Sequence, residues 1–272
     1  MKVTDAMCGP GRRWLLAACL ALVALTGLPG CAGGPVANQD IVTDSDEPVI
    51  RKRARTRLQL ASGYFEQGQT TVALDEVKQS LLIDPDFPDA YNLRGLIYLR
   101  LNDMRLAEES FRRALAISPN DANVLHNYGW MQCQQGKYTE AVQTYTQALA
   151  NPTYGGRAKT WLTKGLCQMQ ARQFNDAEFS LNKSYELDAG NPVTGYNLAL
   201  LLYQRGDAAR AQFYIRRINN SELANAETLW LGIKVEQRIG NRVARDQLVT
   251  QLRGRYPRSR ELSSFERGAF NE

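Results

Sequence analysis

A chain of 272 residues can hold one or two ordinary domains or a single extended solenoid. Its 22% charged and 44% hydrophobic residues exclude wholesale disorder. The net charge of +5 draws partly on Lys2, Arg12 and Arg13 near the N-terminus, and no basic stripe interleaved with aromatics follows, which speaks against nucleic acid as a partner.

The first element is a secretory signal over residues 1–30. Arg12 and Arg13 precede the uncharged run Trp14 to Leu28. That run is about 15 residues long, short of the roughly 20 that a spanning helix needs. Leu28-Pro29-Gly30-Cys31 at its end resembles a bacterial lipobox, with Pro29 the less usual residue. The resemblance implies cleavage before Cys31 and a diacylglyceryl group on its sulfur, the one covalent lipid expected; no other cofactor is called for. Ala32 after the cysteine, rather than Asp, implies delivery to the outer membrane, facing the periplasm of a Gram-negative bacterium. Residues 31–50 then read as the lipidated cysteine and a flexible tether, since Gly, Pro, Asp and Ser dominate and no apolar period appears.

From residue 51 to 257 one pattern repeats. Ala73, Ala107, Ala141, Ala177, Ala211 and Ala244 are spaced by 34, 34, 36, 34 and 33 residues. Twelve residues before each stands Ala61, Gly95, Gly129, Gly165, Ala199 or Gly232, and seven after each stands Ser80, Ala114, Ala148, Ser184, Ile218 or Gln251. Small residues on two successive helices let them cross closely. Turn signals separate the helices at Gln67-Gly68-Gln69, Leu101-Asn102-Asp103, Gln135-Gly136-Lys137, Arg205-Gly206-Asp207 and Ile239-Gly240-Asn241. The expectation is an all-α chain of about six helix-turn-helix units, near 54–87, 88–121, 122–157, 158–191, 192–224 and 225–257. The stretch from Arg258 to Glu272, with Leu262, Phe265 and Phe270, reads as a cap on the last unit or as a frayed tail.

Asn127-Tyr128-Gly129, Gly136-Lys137-Tyr138, Glu140-Ala141 and Ala148-Leu149 resemble the tetratricopeptide (TPR) consensus. That resemblance implies a right-handed superhelix, an α-solenoid, over about residues 54–257. Arg94 and Lys164 depart from the pattern where a large apolar residue is usual, and Ile218 and Gln251 where a small one is, which predicts loose packing or a polar cap in the late repeats. TPR geometry turns the second, fifth, ninth, twelfth and thirteenth residues of each unit toward the concave face. Collected there, the apolar set with its few polar members is Leu58 and Phe65; Asn92, Leu96 and Leu99; His126 and Trp130; Leu162, Leu166 and Met169; Tyr196, Leu200 and Tyr203. Such a face suits an apolar or amphipathic partner segment, with Trp130 and Tyr196 as anchors. The alternative is that superhelical curvature buries these side chains against one another.

Catalysis has no residues to stand on. His126 is the only histidine, and no phosphate loop, CxxC pair or metal-spaced histidine pair exists, so neither an enzyme, a metal site nor a small-molecule substrate is expected. Beyond Cys8, Cys19 and Cys31, only Cys133 and Cys167 remain. They read as small buried apolar residues, with a single disulfide as the alternative in an oxidising compartment.

Lipobox, short tether and six repeats together, with the string Tyr64–Val77 (YFEQGQTTVALDEV), resemble the type IV pilus biogenesis lipoprotein family PilF/PilW, the pilotins of the pilus secretin. The resemblance implies binding of secretin (PilQ-like) subunits, their localisation and multimerisation at the outer membrane, and a requirement in pilus biogenesis and twitching motility. Two other classes also combine lipidation with such repeats: scaffold lipoproteins of outer-membrane β-barrel assembly, and regulators of periplasmic cell-wall enzymes.

Overall fold

The computed structural model describes residues 47–270. The signal segment, the lipobox with Cys31 and most of the tether lie outside the described residues. Thirteen helices and no strands occupy the described part. They form antiparallel hairpins: α1 (Val49–Glu66) with α2 (Thr70–Ile83), α3 (Pro88–Arg100) with α4 (Met104–Ile117), and α5 (Ala122–Gln134) with α6 (Tyr138–Leu149). Next come α7 (Arg157–Gln170) with α8 (Phe174–Leu187), α9 (Pro192–Gln204) with α10 (Ala208–Asn219), and α11 (Ala226–Ile239) with α12 (Arg242–Arg255). A short α13 (Arg260–Glu266) ends the array. Helix α1 begins at Val49, two residues inside the stretch that reads as tether.

The recurring small residues sit where the two helices of a hairpin cross. A methyl group added at Gly95 would stand 2.6 Å from the Phe111 ring, at Gly129 3.0 Å from Tyr145, and at Gly165 2.8 Å from Leu181. Each glycine is therefore the floor on which the next helix lays a large side chain, and Phe111, Tyr145 and Leu181 are fully buried as a result. Ala73, Ala107, Ala141, Ala177 and Ala211 are equally inaccessible. Where a unit carries serine seven residues later, the hydroxyl returns a bond to the first helix: Ser80 Oγ donates to Ala54 O at 2.8 Å and Ser184 Oγ to Ala158 O at 2.9 Å.

The hairpin turns share one device. Gly68, Gly136, Gly206 and Gly240 have φ between 74° and 86°, and Asn102 takes the same place at 59°. In the fourth hairpin the place falls to Arg172, also at 59°, a residue that pays a steric penalty there. Carboxylate and amide caps start the helices that follow, with Asp103, Asp121, Asn191, Asp207, Asn225 and Asn241 each accepting from a backbone N–H of the first turn.

Departures from the repeat pattern resolve in different ways. Arg94 donates from Nε to Ser110 Oγ at 2.9 Å, and its guanidinium lies 4.8 Å from the Tyr91 ring centre. Lys164 is buried, reaches Thr146 Oγ1 at 3.0 Å and stacks on Trp161; burial lowers its pKa. Ile218 sits over Gly195, 3.2 Å from where a methyl there would stand, and together with Gly195, Tyr185 and Tyr214 it borders a cavity of about 220 Å³. Gln251, with Asn219, Gly232 and Glu236, lines a cavity of about 280 Å³ between α10, α11 and α12.

The cysteines also correct the expectation of free thiols. Cys133 on α5 and Cys167 on α7 form a disulfide, their Cα atoms 5.9 Å apart, and so staple the third repeat to the fourth. At the C-terminal end the cap alternative holds. Leu262 is buried, and Phe265 and Phe270 close over Trp230 with ring centres 6.5 Å and 5.3 Å away. Helix α13 thereby covers the apolar edge that α11 would otherwise expose.

Candidate partner-binding groove

The first helices of repeats one to four line a cavity of about 420 Å³. Phe65 stands at the end of α1, Leu96 and Leu99 on α3, and His126 and Trp130 on α5, so five of the residues expected on the concave face come together there. Trp130 is 41% exposed, a large aromatic held open to solvent. Leu99 and His126 are nearly inaccessible and form the floor. Phe65 is fixed from the next repeat. The Arg100 guanidinium stacks 3.6 Å from its ring centre and donates to its backbone carbonyl.

Polar side chains set the register of the neighbouring helices. Asn127 Nδ2 donates to Asn92 Oδ1 at 3.0 Å, joining α5 to α3. His126 Nδ1 lies 2.8 Å from Thr160 Oγ1, which in turn donates to the Tyr154 hydroxyl at 3.2 Å. Burial, aided by the nearby Lys159 charge, holds the imidazole at about 4 against 6.5 for a free one. His126 is therefore neutral at pH 7. Among the described residues no group of three or more His, Cys, Asp or Glu could hold a metal. What the cavity can do is enclose a side chain.

The second half of the expected face behaves differently. Leu162 is buried with Ala177, Leu181, Leu198 and Leu201, and the half-buried Leu166 and Met169 pack against that cluster. Tyr196, Leu200 and Tyr203 join Leu202, Ile215, Leu231 and Val235 in the same way. The Tyr196 hydroxyl donates to Glu227 Oε1 at 2.8 Å, and burial together with that carboxylate raises its pKa. Arg238 covers the Tyr203 ring at 4.2 Å and donates to its carbonyl at 3.1 Å, as Arg100 does to Phe65 one end earlier. None of these six residues lines that cavity, so Tyr196 and Trp130 do not share it.

Four lining residues lay outside the expected set: Arg100, Asn127, Lys159 and Thr163. Arg100 holds the thirteenth position of its unit and Lys159 the second, both of which repeat geometry already turns inward. Selection by apolar character passes over them. Asn127 and Thr163 hold the sixth position, which faces the adjacent repeat and carries no signal of its own.

Helical hairpins stacked on crossing glycines and alanines, with an apolar cavity on the first-helix side, define a solenoid of the TPR class. The comparisons with known proteins agree and go further. A tetratricopeptide repeat pattern matches residues 86–153 and a TPR repeat pattern residues 62–102. The type IV pilus assembly protein PilF of Pseudomonas aeruginosa is 30% identical over 249 residues, covering 92% of this chain and 97% of that protein. The chain belongs to the PilF/PilW family of TPR proteins. Solved structures match to the same extent: PilW, described as a widely conserved type IV pilus biogenesis factor, at a TM-score of 0.71 and 30% identity over 79% of this chain and 98% of that one, and P. aeruginosa PilF at 0.72 and 30% over 80% and 99%.

Proposed function

We propose that this protein acts in type IV pilus biogenesis as an outer-membrane lipoprotein that binds secretin subunits and promotes their localisation and multimerisation. The observation that carries the reading is the family match, which spans 97% of a type IV pilus assembly protein at 30% identity. Local features support it. A signal with a lipobox at Cys31 supplies an address and an anchor, and several acyl chains would make that anchor stable. The Cys133–Cys167 disulfide suits an oxidising compartment such as the periplasm. The cavity around Trp130 offers the kind of aromatic-anchored apolar surface that grips a partner segment. In this mechanism the lipid sets location and the rigid first-helix face captures secretin segments that would otherwise be exposed, holding them while the ring assembles.

A deletion strain tests the reading. Twitching is expected to be lost, with secretin left monomeric or misplaced and porin levels unchanged. Complementation with wild type is expected to restore twitching and secretin assembly. Cys31→Ala is expected to lose labelling by radioactive palmitate and to fail in outer-membrane delivery of secretin. Intact pili with a general loss of porins would overturn the reading in favour of β-barrel assembly, and continued palmitate labelling of Cys31→Ala would overturn the anchor.

A further inference from the structure

The groove is apolar at its floor and positively charged at its rim. Arg100 and Lys159 both line the cavity and no carboxylate does. Arg100 is spent on a ring and a carbonyl of Phe65, neither of which neutralises it. Lys159 is exposed, and no ion pair compensates it among the described residues. Other exposed cations do have acidic partners, as Arg57 has Glu76, Arg113 has Asp86, and Arg205 and Arg210 share Glu178. His126 adds no charge at neutral pH, since burial keeps its imidazole deprotonated. The cavity thus presents two positive groups around a hydrophobic hole that Trp130 walls on one side.

Resting on the proposed role as a partner-binding scaffold, we infer that the groove selects a partner segment in which a large apolar side chain is flanked by carboxylates. The apolar group enters between Phe65, Leu96 and Trp130, where its burial supplies the affinity. A neighbouring Asp or Glu meets Lys159 or the free edge of the Arg100 guanidinium. Because that charge pairing sits at a wet rim, its contribution is selectivity and encounter rate more than tightness. Segments that carry lysine or arginine beside the apolar residue are repelled, which keeps the groove closed to the basic amphipathic stretches that an apolar surface alone would accept.

Fluorescence anisotropy on the full chain in detergent separates this inference from the reading it rests on. Three labelled, capped decapeptides share a Leu-Phe-Leu centre and differ only in flanking pairs of Glu, Gln or Lys. At roughly 50 mM salt the Glu peptide is expected to bind about fivefold more tightly than the Gln peptide, with the Lys peptide weakest. The preference should shrink at about 500 mM salt. It should be largely lost in Lys159→Gln, an exposed change that leaves the fold intact. Trp130→Ala should weaken the Glu and Gln peptides by the same factor. Equal binding of the Glu and Gln peptides to wild type, or an undiminished preference in Lys159→Gln, would overturn the acidic requirement while Trp130-dependent binding kept the groove. If Trp130→Ala altered none of the peptides, or none bound wild type, both the requirement and the groove would fall.

Discussion

His126 shows how much of the site is decided by burial of single side chains. The sequence identifies it as the only histidine and places it on the inward face, and residue types alone make it groove filler. Its environment gives it a definite pH dependence. The folded pKa of about 4 lies below the 6.5 of a free imidazole, so as pH falls the unfolded chain takes the proton first. Stability from this residue is full above pH 6.5 and is lost progressively down to about pH 4. Urea denaturation should show wild type losing about 2–3 kcal/mol more than His126→Gln between pH 7 and pH 4. Parallel pH profiles would contradict the burial. Trp130 was legible as a lining residue because an aromatic at an inward position is conspicuous. Tyr196 carried the same signal, yet its hydroxyl is engaged by Glu227 and its ring joins the core. Position within a repeat does not report how far the next repeat leans over it.

The hairpins were the most legible features, because crossing contacts tolerate only small residues and those recur at a fixed period. Five of six turns announce themselves by Gly or Asn at the left-handed position. The fourth does not, since Arg172 adopts φ of 59° without the chemistry that favours it. Arg172→Gly is expected to stabilise the protein by about 0.5–1 kcal/mol in urea, the relief of the Cβ clash less the entropy glycine adds to the unfolded chain. A loss of stability would show that the arginine side chain contributes more than its backbone costs. Neutral polar pairs had no signature either. Gln132 accepts from Thr144 at 2.8 Å and Gln168 from Ser180 at 2.6 Å, the same bond in successive hairpins, yet Gln, Ser and Thr at these places read simply as surface. The disulfide was open for a different reason. Two cysteines on neighbouring first helices are compatible with pairing, but the direction of each side chain depends on the stacking angle. Joining residues 34 apart, the bond should contribute about 4 kcal/mol. Cys133→Ala with Cys167→Ala should lower urea stability by that amount, and wild type in reductant should match the double variant. Equal stability of oxidised and reduced wild type would contradict a structural role.

At the scale of the whole molecule, stability in a repeat array is carried by neighbour-to-neighbour interfaces, which places a disulfide between repeats three and four and a cap of α13 on repeat six where each matters most. The groove lies on α1, α3, α5 and α7 and so includes both stapled helices, while the inward residues of α9 pack in whole or in part against the core of the later repeats. Periodicity foretold the solenoid but not this division, because both halves are equally apolar in sequence and differ only in how curvature brings them together. The proposed function rests on the family and on the open cavity beside Trp130, and its central claim is that this cavity captures secretin. The direct measurement is the affinity of purified full-length protein for secretin subunits, with and without Trp130→Ala. The variant is expected to fold and melt like wild type while binding weakens by about 2 kcal/mol, a factor of roughly 30 in Kd. Undiminished binding by a folded Trp130→Ala protein would contradict the assignment of the groove.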